Sequence, residues 1–262
     1  MKHLPRLVLL FIFLPVLASA ELFYVGVLQK ETGYSEQMLL SKAKLGHLEN
    51  PIRDAWREGY RITDFSHSPR RWSVVLSKGT DIEKQLYIHR RLMSDFKKEV
   101  LHFLRQGYEV VNVENGVGEW IAVLEKGGTF KKSRMSITRD LEEMEKIINQ
   151  QKEMGFDLID MEAAEGSWVA LFARNTGFIA SHYAFSETWE DLTRQIDKEW
   201  EKGNRIVNLE YGSNRWFSLY AKRKISPEEL YIRKHDYKAF RRAVRQYWKV
   251  GYRITDLATG RN

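Results

Sequence analysis

Trp56-Arg-Glu-Gly-Tyr-Arg-Ile-Thr-Asp64, followed eight residues on by Trp72-Ser-Val-Val-Leu-Ser-Lys78, is the stretch on which the fold turns, because it recurs. Gly59, Gly107, Gly155, Gly203 and Gly251 stand 48 residues apart every time. Trp72, Trp120, Trp168 and Trp216 keep the same spacing, with Tyr24 one period earlier. A basic column (Lys30, Lys78, Lys126, Arg174, Lys222) and an Asp/Asn column (Asp64, Asn112, Asp160, Asn208, Asp256) run in register with them. Several columns held without an insertion are the mark of a repeat protein.

One period reads as strand, strand, helix, strand. The first strand is Trp72–Lys78, with relatives at Trp120–Lys126 and Trp216–Lys222, each a short apolar run. The second lies near Gln85–His89, where Tyr87, Tyr183 and Tyr231 share a column. Met93, Phe96, Val100 and Leu104 then form one apolar helical stripe, repeated as Tyr237, Phe240, Val244, Trp248 and as Leu45, Leu48, Ile52, Trp56. Asn50-Pro51, Ser94 and Ser186 are the expected helix starts. The glycine column falls just past each helix, where a left-handed residue closes the last turn. The third strand is Tyr60–Asp64, with copies at Tyr108–Asn112 and Tyr252–Asp256, and a short turn makes it a hairpin with the next Trp strand.

The fold class expected is α+β: five ββαβ repeats of 48 residues over residues 21–262, one domain. The repeats open on a first strand (Leu22–Lys30) and end on a third strand (Tyr252–Leu257), each lacking its hairpin mate. Pairing those two closes the array and removes exposed sheet edges. The expectation is a pseudo-fivefold α/β propeller, or toroid, with the helices outside.

Residues 1–20 read as a signal peptide. Lys2 and Arg6 precede an apolar run, and Ala18-Ser19-Ala20 offers a cleavage site before Glu21. The run is short for a membrane span, and no later segment is long and apolar enough. The address expected is periplasmic or secreted, with no membrane span after cleavage. With 0 cysteines there are no disulfides, thiolate metal sites or cysteine nucleophile. Without residues 1–20, 40 basic residues stand against 35 acidic ones, a net charge of +5. Charges of both signs are interspersed, and nothing calls for nucleic acid.

The stretches Trp56–Thr63 and Arg71–Thr80 resemble the repeats of an uncharacterised domain found C-terminal to the kinase domain of plant casein-kinase-1-like kinases. The likeness is strongest over residues 56–80 and departs at Asp64, where the family carries a small hydroxyl residue. It implies a binding or interaction module, with no kinase activity. Five ββαβ units in a ring also resemble the pentein architecture of guanidine-modifying enzymes. Several of those use a cysteine nucleophile, which this chain lacks.

No catalytic constellation emerges from the motifs. The Trp columns read as packing, and the Asp/Asn column, preceding Gly-containing turns, as turn-stabilising Asx residues. Alternation of acid and amide argues against a calcium site, so no metal is assigned, nor any cofactor. The histidines are scattered, and Glu142, Glu143 and Glu145 form a solvated helix face. The expected function is a non-enzymatic binding or scaffolding protein whose partner is a protein or an anionic envelope component. Its candidate ligand residues are Lys30, Lys78, Lys126, Arg174 and Lys222 on one rim. The alternative is a hydrolase or lyase built from repeat-breaking residues near the ring axis. Arg134 and His182 are the candidates, standing where other copies have Met38, Leu86 and Leu230.

Overall fold

A computed structural model describes residues 21–261; the expected signal peptide lies outside the described residues. The chain opens with β1 (Phe23–Gln29). Then come β2 (Gln37–Lys42), α1 (Glu49–Arg57), β3 (Arg61–Ser68) and β4 (Arg71–Ser77). The same order repeats as β5 (Lys84–Arg90), α2 (Met93–Arg105), β6 (Glu109–Gly116) and β7 (Glu119–Lys126). It returns as β8 (Lys131–Thr138), α3 (Leu141–Glu153), β9 (Asp157–Ala164) and β10 (Ser167–Arg174). Next are β11 (Phe178–Ser186), α4 (Trp189–Glu201), β12 (Arg205–Gly212) and β13 (Arg215–Arg223). The chain ends with β14 (Glu229–Lys234), α5 (Tyr237–Lys249) and β15 (Arg253–Gly260).

The protein is α+β. It has five three-stranded antiparallel sheets, ordered β2-β4-β3, β5-β7-β6, β8-β10-β9, β11-β13-β12 and β14-β1-β15. This shifts the unit boundary expected from the sequence. The ββαβ reading grouped Trp72–Lys78 with Gln85–His89, but β4 and β5 belong to different sheets. The sheet-forming unit is strand, helix, strand, strand. The reason is local: β3 and β4 meet at a tight turn that pairs Ser68 with Arg71, whereas residues 78–83 carry the chain across to the next sheet.

The opening strand pairs with the last as expected, from Phe23 opposite Gly260 to Gln29 opposite Arg253. It also pairs with β14, so β1 is the middle strand of a sheet whose other strands lie at the far end of the chain.

Helix ends follow the glycine column. In the first unit Gly59 has φ +88°, its N–H donates to the Trp56 carbonyl, and the Tyr60 N–H donates to the Ala55 carbonyl. That is a Schellman closure, and the same pair of bonds recurs at Gly107, Gly155 and Gly251. Helix starts differ from expectation. Asp140, Thr188 and Asp236 cap α3, α4 and α5 by accepting from the amides of Glu143, Asp191 and Ala239. Ser94 lies inside α2 and Ser186 ends β11, while Pro51 stands in the first turn of α1 as expected. A serine near a helix start is not a cap unless its backbone is extended one residue before the first turn.

Five apolar cores alternate with the sheets. The first packs Leu48 and Ile52 of α1 with Trp72 and Val74, against Ile121 and Val123 of the next sheet. The last packs Phe240 and Val244 of α5 with Leu28 and Ile254, against Leu39 and Val75 of the first. All four columnar tryptophans are buried in these cores, as packing requires.

At three junctions one polar side chain locks neighbouring units. Gln85 bonds both the N–H and the carbonyl of Ile62, at 2.7 Å each, and accepts from Trp56 Nε1. Gln37 does the same to Ile254 and Trp248, and Glu229 holds the Ile206 N–H and Trp200 Nε1. The central strands touch in the cycle β3, β6, β9, β12, β15 and back to β3.

Candidate functional site

Every central strand carries one extra residue. The pairing shifts between Ile62 and Asp64, between Val110 and Asn112, and between Ile206 and Asn208; the equivalent shift in β9 and β15 falls before Asp160 and Asp256. A β-bulge of this kind breaks the strict alternation of faces. Its consequence is visible in packing. Ile62 and Phe65, three apart, share one core, as do Val110 and Val113, and Leu158 and Met161. The residues two positions past the bulge's apolar edge therefore turn to the centre of the molecule.

Those residues are the Asp/Asn column, so its expected turn role is corrected. It is a largely buried polar network that links neighbouring units. Asn112 Nδ2 donates to Asp64 Oδ1 at 3.4 Å and to Asp160 Oδ2 at 3.5 Å, and Asn208 Nδ2 donates to Asp256 Oδ1 at 3.4 Å. The Val113 and Leu209 amides donate to Asp160 and Asp256 at 2.7 and 3.1 Å, and the Met161 amide to Asn208 Oδ1 at 3.3 Å. Each of those amides belongs to the unit before its acceptor.

Two residues further along each strand, on the same face by the strand's period of two, lies a layer the sequence reading missed. Its members are Ser66, Glu114, Glu162, Glu210 and Ala258, again 48 apart. One oxygen from each of Glu114, Glu162 and Glu210 lies within 4.8 Å of the others. Glu114 and Glu162 are buried, at 6% and 3% exposure. With Glu210 they line a pocket of about 220 Å³ whose other lining residues include His67, Asn115, Tyr211, Thr259 and Arg261. Small residues two positions on let the strands converge there: a side chain at Gly212 would lie 2.5 Å from the Ala163 carbonyl, and one at Gly116 would strike the His67 ring.

Six carboxyl groups thus crowd one enclosed centre. Burial raises Glu114 well above the ordinary carboxylate range, and Glu162 and Glu210 push it further. Glu162 moves the same way, through burial and then Glu210. Burial and Asp160 lift Glu210 to about 8, and burial lifts Asp160 to about 7 against the opposing Val113 and Met161 amides. Asp64 and Asp256 are likewise raised by burial and by their neighbours' charges. His67 goes the other way, to about 4, because burial disfavours its cation.

The residues singled out from the sequence lie elsewhere. Four of the five basic residues sit over an aromatic ring of one column: Lys30 on Tyr252, Lys78 on Tyr60, Lys126 on Tyr108 and Arg174 on Phe156. Lys30 and Lys78 also pair with Glu228 and Glu36, at 2.7 and 3.2 Å. Lys126 and Arg174 donate to the Gln106 and Met154 carbonyls at helix C-termini, where a cation is favoured. Lys222 is exposed.

Arg134 and His182 are not brought together. Arg134 lies over Phe156 and donates to Gln151, on the helix side of its sheet. His182 Nε2 bonds Glu199 at 2.9 Å and its ring stacks on Tyr220. Glu199, 1% exposed, also receives Lys202 and Asn204. This cluster replaces the aromatic-cation pair of the other units, because Asn204 stands where they have Tyr or Phe.

Comparison with protein-family models and with curated proteins finds no match for this chain.

Proposed function

We propose that the protein is an exported, non-enzymatic binding ring, and that its ligand is a cation held in the central pocket. Closure into a pseudo-fivefold propeller is supported at the last junction by the same devices as at the others. β15 adjoins β3, Gln37 clasps Ile254, and Leu39 and Val75 enter the fifth core. A closed ring turns one face of every central strand toward a single axis, and repeat-related side chains then converge on it.

The observation that carries the reading is the Glu114, Glu162, Glu210 triad within 4.8 Å. Three like carboxylates offer one sign of charge from three directions. Burial, then the neighbouring carboxyls, raises their pKa values; a positively charged group supplies the missing counter-charge and gains three charge-assisted contacts in a poorly solvated site. The binding role implied by the resemblance of residues 56–80 fits the same picture, as does the export expected from residues 1–20.

Calorimetry of the chain without residues 1–20, titrated with calcium chloride and separately with spermidine, tests the reading. One saturable site per chain for at least one of the two is expected, weakened by salt. Absence of saturable heat for both overturns it.

A further inference from the structure

We propose that the outer face of α5 docks on the surface of an anionic lipid bilayer through Lys238, Arg241, Arg242, Arg245 and Lys249. This surface is separate from the central pocket, and neither reading depends on the other.

Spacing is the first argument. Each of the five stands three or four residues from the next on its face, so they form one stripe on α5, opposite the buried Phe240 and Val244. The apolar side of α5 packs on β14, β1 and β15, and all five cations are exposed. From Lys238 to Lys249 the stripe runs about 16 Å along the helix axis.

The charge is unmet, which is the second argument. Among the described residues, none of the five side chains forms an ion pair, a hydrogen bond or a ring contact. Asp236, the only acid between Leu230 and Thr255, is engaged with the Ala239 amide at 2.7 Å. Like charges three and four residues apart weaken a helix, and here no carboxylate is interleaved to offset them. The five positive charges equal the whole net charge of the chain without residues 1–20, so the remainder is balanced.

The repeat supplies the comparison. At the equivalent positions α3 and α4 each carry three acids and one base. In α4 that base, Arg194, pairs with Glu190 and Asp191. In α2 three bases stand there, interleaved with Asp95 and Glu99, and in α1 Arg53 and Arg57 bond Asn50 and Asp54. All five helices cover an apolar core in the same way, so packing does not require a basic face.

Shape and composition name the partner. The stripe lies on the convex side of a helix, and a flat anionic surface meets all five cations together. A lysine or arginine close to such a surface strengthens binding about fivefold. Val250, 61% exposed at the C-terminal end of α5, adds an apolar group suited to the lipid interface.

The test is co-sedimentation of residues 21–262, which hold every described element and leave out the apolar run of residues 7–17. The vesicles are phosphatidylcholine alone, or an equal mixture with phosphatidylglycerol, and heparin serves as a soluble anionic polymer. Binding to the mixed vesicles alone is expected, and it should weaken with salt. Arg241→Gln with Arg245→Gln should weaken it at least tenfold. Lys146→Gln with Lys152→Gln on α3, an equal change of net charge, should leave it within twofold. The α5 variant should melt no lower than the parent, because it relieves repulsion within the stripe. Equal loss in both variants would reduce the effect to net charge and overturn the surface. Equal binding to both vesicles would overturn it too, as would heparin binding without vesicle binding, or no binding at all.

Discussion

At the scale of single residues, the glycine column and the buried acids act through opposite physics. Gly155 has φ +77° and open space where a side chain would sit, so replacing it exposes the backbone cost alone. Gly155→Val should destabilise the protein by about 1–3 kcal/mol, read by chemical denaturation, since a β-branched residue resists that conformation. An unchanged midpoint would refute the helix-closing role. Glu125 is 6% exposed, and burial raises it to about 7, opposed by Gln85 and Lys131. Its folded pKa exceeds its unfolded one, so its contribution is fully present below the unfolded value and is lost as pH rises through about 7. Thermal melts from pH 5 to pH 8.5 should therefore decline less steeply for Glu125→Gln than for the parent. Parallel profiles would show that Glu125 ionises as freely in the folded protein as in the unfolded chain.

At the scale of elements, helix starts separate chemistry that acts from chemistry that merely resembles a signal. Asp140 accepts from the Glu143 amide at 2.8 Å and closes the first turn of α3, while Ser94 sits within α2 after a leucine that caps nothing. Asp140→Ala should cost about 1 kcal/mol and Ser94→Ala well under half of that, measured by urea denaturation. Equal costs would mean that the Asp140 bond contributes nothing net. The central strands obey a similar logic. Their bulge allows apolar residues three apart to share a core, and it turns the Asp/Asn residue between them inward. The same local irregularity thus builds the hydrophobic seam and the polar centre.

At the scale of the whole molecule, the ends of the repeat array meet in one sheet. β15 pairs with β1 along its length and adjoins both β12 and β3. Deleting residues 252–262 removes that strand, together with Ile254 of the fifth core and Asp256 of the polar network. The truncated protein should melt at a markedly lower temperature and lose cooperativity throughout, not only at its end. A cooperative melt at the parental temperature would show that the units stand as an open array. The basic rim also takes a new meaning at this scale. Lys78 and Lys126 each tie a strand end to the aromatic residue beside it, and Lys126 also reaches the helix terminus at Gln106, so they contribute to unit packing.

The sequence by itself determined the repeat length, the strands, the helical stripes, the closing glycines and the pairing of the first strand with the last. These depend on local propensity and on a fixed 48-residue period, and both survive in one dimension. Only the tertiary structure decided which strands share a sheet, because tight turns and crossovers differ in geometry more than in composition. It alone decided where the Asp/Asn column points, because an unseen bulge at residues such as Thr63 reverses the face that strand alternation assigns. The glutamate layer was hidden for a further reason. Three of the five units supply a single ordinary glutamate and the other two none, and only convergence of the central strands turns residues 48 and 96 apart into neighbours.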